Sequence, residues 1–127
     1  MSSQPLGVAI AGLGFGEKVH LPALEANQDL KAVALWHPRR ERLDLACAES
    51  GLQGYDNWDA LLADPAVDAV IVATPPEPRF ELARAALQAG KHVLLEKPIA
   101  LHADQVMELQ RLALQQKRSV AVDYEYR

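Results

Sequence analysis

Gly7-Val8-Ala9-Ile10-Ala11-Gly12-Leu13-Gly14-Phe15-Gly16 is the stretch on which the reading of this chain turns. Val8 to Ala11 are apolar without alternation, the pattern of a parallel strand covered on both faces. Gly12 and Gly14 follow with G-x-G spacing. The first glycine permits a tight turn, and the second lets backbone approach a ligand with no Cβ in the way. A helix is expected next, and its first N–H groups are unpaired and partly positive. Strand, turn and helix start together make a seat for a pyrophosphate. Alone, G-x-G is a weak signal, because a turn that merely needs glycines has the same spacing. A third glycine is due at position 17, where Glu17 stands, with Gly16 one place early.

Outward from this turn the chain goes on alternating strand and helix. The helix is expected to run to about Asn27, burying Val19 and Leu24 and kinked at Pro22. Residues 30–36 read as a second strand, broken by His37-Pro38. A helix follows with Leu43, Ala46 and Cys47 inward, and Gly51 stands where a C′ glycine belongs. A third strand falls at 53–55, and Asn57 can cap a brief helix through Leu61 and Leu62. Residues 68–74 are a fourth strand stopped by Pro75-Pro76. Phe80, Ala83, Ala86 and Leu87 have helical spacing up to Gly90. A fifth strand at 92–95, a helix over 103–117 burying Val106, Leu109, Leu112 and Ala113, and a sixth strand at 119–122 complete the pattern. Such alternation argues an α/β fold, a doubly wound parallel sheet (Rossmann) in the order 3-2-1-4-5-6 with right-handed crossovers.

The chain has 127 residues, 50% of them apolar, which suits one compact domain. Its net charge of −4 comes without the basic run that a nucleic-acid surface needs. A single cysteine, Cys47, excludes an internal disulfide and a cysteine-cluster metal site, and reads as a small buried thiol. No pair of histidines or carboxylates has metal-ligand spacing, and no serine or cysteine nucleophile motif is present. No apolar run approaches the roughly 20 residues of a membrane span, and Met1 to Pro5 lack the features of a signal peptide. The expectation is a cytoplasmic protein with no nucleic-acid or membrane partner.

Ligands in doubly wound sheets bind beyond the carboxyl ends of the strands, where the strand order reverses. The loops after Ile10, Trp36, Thr74 and Leu95 should therefore share one rim. An acid about 20 residues beyond the glycines would hold the ribose 2′-OH of NAD. The second strand ends instead in Leu35-Trp36-His37-Pro38, followed by Arg39, Arg40 and Arg42. Guanidinium forks match phosphate oxygens, so this turn favours NADP, with NAD the alternative. A solvated helix start would carry the same arginines. Arg39 and Arg40 lie nearest the strand end, and His37 is placed to stack or hydrogen-bond near the adenine. Thr74-Pro75-Pro76 is stiff enough to form a wall beside a cofactor, or simply to end a strand. Glu96-Lys97-Pro98 puts a charged pair on the rim, where a lysine can donate a proton or bind substrate. A surface pair before a turn would read alike. His20 and His102 read as structural.

A-G-L-G-F-G at Ala11 to Gly16, V-H-L-P-A-L at Val19 to Leu24, A-T-P-P at Ala73 to Pro76 and A-G-K-H-V-L-L-E-K-P at Ala89 to Pro98 stand together in this chain. The combination resembles the N-terminal domain of the glucose–fructose oxidoreductase / inositol dehydrogenase (Gfo/Idh/MocA) family. It implies NAD(P)-dependent hydride transfer on a sugar, a cyclitol or a related small carbonyl compound. It also implies a catalytic Lys97 beside nicotinamide and substrate, Glu96 near the nicotinamide ribose, and Thr74 and Pro75 lining the cofactor. The cofactor-binding set is then Gly12, Gly14, Phe15, Gly16, His37, Arg39, Arg40, Thr74, Pro75, Glu96 and Lys97, with no metal. Pro76 and Arg79 stand where the family often has Asn and His. Family members are well over twice this length, so a second domain that holds substrate and carries the oligomer interface is expected outside residues 1–127. A free-standing module that binds NADP(H) without catalysis is the alternative reading.

Overall fold

The computed structural model describes residues 5–12, 28–73, 76–96 and 103–123. Strands β1 (Leu6–Ala11), β2 (Leu30–Trp36), β3 (Gln53–Tyr55), β4 (Ala69–Val72), β5 (His92–Glu96) and β6 (Val120–Asp123) form one sheet in the order β3-β2-β1-β4-β5-β6. Every neighbouring pair is parallel. Helices α1 (Arg40–Ser50), α2 (Trp58–Leu62), α3 (Pro76–Gln88) and α4 (Ala103–Gln116) connect the strands. The helix expected through Val19, Pro22 and Leu24 lies outside the described residues. The doubly wound order is the one the strand–helix alternation implies.

Both faces of the sheet are covered, which is why its strands do not alternate. On one face Val8, Ile10, Leu35 and Ile71 pack against Leu43 and Ala46 of α1. On the other, Ala9, Ala34, Val70 and Val72 pack against α2, α3 and α4 through residues such as Leu61, Ala83, Leu87 and Leu109. The register between β1 and β2 slips once: Val8 pairs with Ala32, and Ala9 with Ala34. Val33 is the extra residue. Leu30, Ala32 and Leu35 therefore belong with α1, whereas Val33, Ala34 and Trp36 belong with the opposite layer. A bulge turns every later side chain to the other face. Here it sends Trp36 toward Trp58 of α2, whose ring it meets edge-on at 5.3 Å and 70°.

Several boundaries differ from expectation for local reasons. β4 starts at Ala69, because Asp68 caps the edge of β1: its N–H donates to the Gly7 carbonyl at 2.7 Å, and its carboxylate accepts the Gly7 N–H at 2.8 Å. β4 ends at Val72, and Thr74 lies outside the described residues. Pro76 opens α3 rather than merely stopping β4, since a proline at the first helical position forfeits no hydrogen bond. β5 continues one residue to Glu96, and β6 is shifted one residue on. α4 ends at Gln116 because Lys117 turns left-handed, with φ 56°. Val106 and Cys47 are half-buried, not buried. Asn57 does cap α2, accepting the Ala60 N–H at 2.9 Å.

Candidate functional site

One row of register partners crosses the whole sheet near its carboxyl edge: Tyr55, Trp36, Ala11, Val72, Leu95 and Val122. The next residue on each strand or its loop therefore lies along one rim: Asp56, His37, Gly12, Ala73, Glu96 and Asp123. Backbone bonds stitch that rim. Gly12 N–H donates to Trp36 carbonyl at 3.3 Å, His37 N–H to Tyr55 carbonyl at 3.2 Å, and Ala73 N–H to Ala11 carbonyl at 2.8 Å. The strand order reverses between β1 and β4, so the crevice opens beside Gly12 and Ala73.

Gly12 is buried and has φ 108°, a conformation L side chains rarely adopt. The first glycine of the G-x-G is thus in the shape a tight turn needs. Gly14, Phe15 and Gly16 lie outside the described residues, as do Thr74, Pro75 and Lys97. Glu96 ends β5, with its backbone in register with Asp123.

The turn after β2 is built by His37. Its Nδ1 accepts the Arg39 N–H at 2.9 Å, as an Asx turn would. Nδ1 then holds the lone pair, and the neutral ring carries its proton on Nε2. Burial pushes the imidazole below its ordinary pKa, and the positive charges of Arg42 and Arg39 add to that direction. The result is a neutral ring with an N–H to offer. Arg39 occupies the N-cap of α1 in extended conformation, makes no side-chain cap, and is exposed. Its carbonyl accepts the Leu43 N–H at 3.0 Å, the first bond of α1.

Arg39 and Arg40 differ in what surrounds them. Arg40 pairs through Nε with Asp44 at 3.2 Å and through Nη1 with Asp56 at 3.4 Å. Among the described residues no carboxylate is paired with Arg39. The rim thus has one arginine held by acids and one that is exposed and has no carboxylate partner among the described residues.

Two rim residues escaped the sequence reading. Asp56 follows β3 directly, and its only sequence signal is an acid placed right after the short strand Gln53-Gly54-Tyr55. Trp36 ends β2 on this rim row, and its Nε1 is buried with no hydrogen-bond partner among the described residues. Arg79, in the first turns of α3, is 3% exposed and so is packed inside the fold rather than on its surface. Among the described residues no group of three or more His, Cys, Asp and Glu is placed to hold a metal ion. No described helix is long and apolar enough to cross a membrane.

Left-handed Gly12 and the arginine turn lie along one sheet edge, where a doubly wound sheet takes a dinucleotide. A family model described as "Oxidoreductase family, NAD-binding Rossmann fold" (GFO_IDH_MocA) matches residues 6–124. An uncharacterised oxidoreductase of Synechocystis sp. is 42% identical over 129 residues, covering 100% of this chain and 35% of that protein. The D-glucoside 3-dehydrogenase of Escherichia coli is 34% identical over 134 residues, covering 100% of this chain and 37% of that protein. Among solved structures, Synechocystis biliverdin reductase in complex with biliverdin and NADP+ superposes with a TM-score of 0.86 at 31% identity, covering 94% of this chain and 38% of that one. The chain therefore spans little more than a third of the length of these relatives.

Proposed function

The chain belongs to the GFO_IDH_MocA oxidoreductase family, whose NAD-binding Rossmann fold it carries, and on that premise we propose that it binds NADP as the dinucleotide half of an enzyme moving hydride to or from a sugar, a cyclitol or a related small hydroxyl or carbonyl compound. The observation that carries the choice of NADP is the turn at 37–40. The strand end that would present an acid to the ribose of NAD presents His37 and Arg39 instead. The NADP+ complex of biliverdin reductase and the sugar substrate class of the D-glucoside dehydrogenase support the two parts of the reading.

The residues divide the cofactor between them. Gly12, Gly14, Phe15 and Gly16 would seat the pyrophosphate. Arg39, joined by Arg40, takes the 2′-phosphate, and His37 lies along the adenine. Thr74 and Pro75 form the wall on the other side of the crevice, and Glu96 holds the nicotinamide ribose. Nicotinamide, when bound, supplies or accepts the hydride. The Lys97 ammonium hydrogen-bonds the substrate oxygen and gives or takes its proton as charge develops there. The partners in this reading are a small-molecule substrate and further copies of the protein, in a cytoplasmic setting.

The test is a titration of the chain with NADPH and with NADH, followed by nicotinamide fluorescence. Saturable binding with preference for NADPH is expected. Equal affinity for the two would remove NADP from the reading, and binding of neither would remove the dinucleotide site.

A further inference from the structure

Arg40 stands between two carboxylates of different origin. Asp44 lies four residues on along α1, an arrangement common on any solvated helix. Asp56 comes from beyond β3, and it is fixed to this edge by the sheet itself: Tyr55, the residue before it, is the register partner of Trp36 and accepts the His37 N–H. The Asp56 carboxylate reaches Arg40 Nη1 at 3.4 Å across the mouth of the arginine turn.

We infer that Asp56 is a specificity-determining residue of this edge: by drawing Arg40 toward β3 and offsetting its charge, it limits how strongly the edge favours a dinucleotide bearing a 2′-phosphate over one without it. This rests on the reading of the turn at 37–40 as the ribose end of the site. Three features carry it. First, of the carboxylates in this stretch Asp56 is the one that another strand brings to Arg40, so it draws the guanidinium toward β3 and away from the turn at 37–40. Second, Arg40 has committed Nε and Nη1, which leaves only part of its five-donor fork for another anion. Third, the pair is half-exposed, with 58% of the Arg40 and 47% of the Asp56 side chain accessible. Pairs of that kind contribute little to stability, so removing Asp56 alters the field without unfolding the turn. Asp56 acts through Arg40 and is a positioning residue; it does not itself hold the ligand.

The experiment compares NADPH and NADH affinities of the unaltered chain, Asp56→Asn, and Asp56→Asn in an Arg40→Ala background. Glu49→Gln makes the same charge change on the last turn of α1, away from the turn, and serves as the control. Asp56→Asn is expected to tighten NADPH about three- to tenfold at low salt while leaving NADH unchanged within about twofold, the gain shrinking at high ionic strength. Glu49→Gln should change neither, and the gain should vanish with Arg40→Ala. An unchanged NADPH-to-NADH ratio in Asp56→Asn overturns the inference, as does a gain that survives the loss of Arg40. A lack of NADPH preference in the unaltered chain strikes the NADP reading instead, and Asp56 is still judged by whether its removal moves the ratio.

Discussion

Gly12 donates its N–H to the carbonyl of Trp36 at 3.3 Å, which fastens the start of the glycine turn to the end of the neighbouring strand. The two halves of the proposed cofactor site, pyrophosphate seat and ribose end, therefore share one rigid joint. The bond exists because Ala11 and Trp36 are register partners and because Gly12 bends away at φ 108°.

Gly12→Ala tests that joint. A Cβ at this φ strains the backbone by about 1–3 kcal/mol. Chemical denaturation should show a loss of that size, and dinucleotide affinity should fall with it. An unchanged midpoint would mean the turn relaxes without difficulty.

His37→Ala and His37→Asn separate the turn from its titration. Alanine removes the acceptor for the Arg39 N–H and should cost about 0.5–1 kcal/mol, whereas asparagine can accept the same bond and should cost less. The pH dependence follows from the direction of the shift. The folded ring has a pKa below the 6.5 of the unfolded chain. Above about pH 6.5 both states hold it neutral and it contributes nothing to the slope. As pH falls through that value the unfolded chain takes the proton first, so stability drops. His37→Asn should flatten the stability curve between pH 7 and 5, read by urea melts at each pH, and an identical slope would refute this assignment.

Gly7→Ala probes the edge between β1 and the turn before β4. The added Cβ would overlap the backbone carbonyl oxygen of Ala66, and backbone cannot swing aside as a side-chain tip can. Destabilisation of about 3 kcal/mol is expected, seen as a lowered Tm. A nearly unchanged Tm would mean that the contact between Gly7 and residues 66–68 is not tight.

Much of this fold is legible in the sequence because its signals are local and agree with one another. Gln53 to Tyr55 as a strand, Asn57 as a cap, and Gly51 and Gly90 after their helices each follow from one residue's own chemistry, and the apolar runs give the two-sided sheet. The bulge at Val33 is different. Ala32, Val33 and Ala34 are all small or apolar, so nothing in them shows which faces which layer, and the slip is set by how β1 and β2 meet. Asp68 looks like an ordinary strand start until Gly7 is beside it. At the site, the arginine turn is written in consecutive residues, and it could be read. Asp56 could not, because its partner Arg40 lies sixteen positions earlier and only the pairing of β2 with β3 brings them together.

The most direct test of the proposed 2′-phosphate site is the NADPH-to-NADH affinity ratio of Arg39→Ala/Arg40→Ala beside that of the unaltered chain. The double variant should lose the preference for NADPH while binding NADH much as before, because each charged contact to a phosphate is worth about 1.5–3 kcal/mol and NADH has no 2′-phosphate to lose. A ratio that does not change when both arginines are gone would contradict the account, and would place the selectivity of this edge elsewhere than in the turn at 37–40.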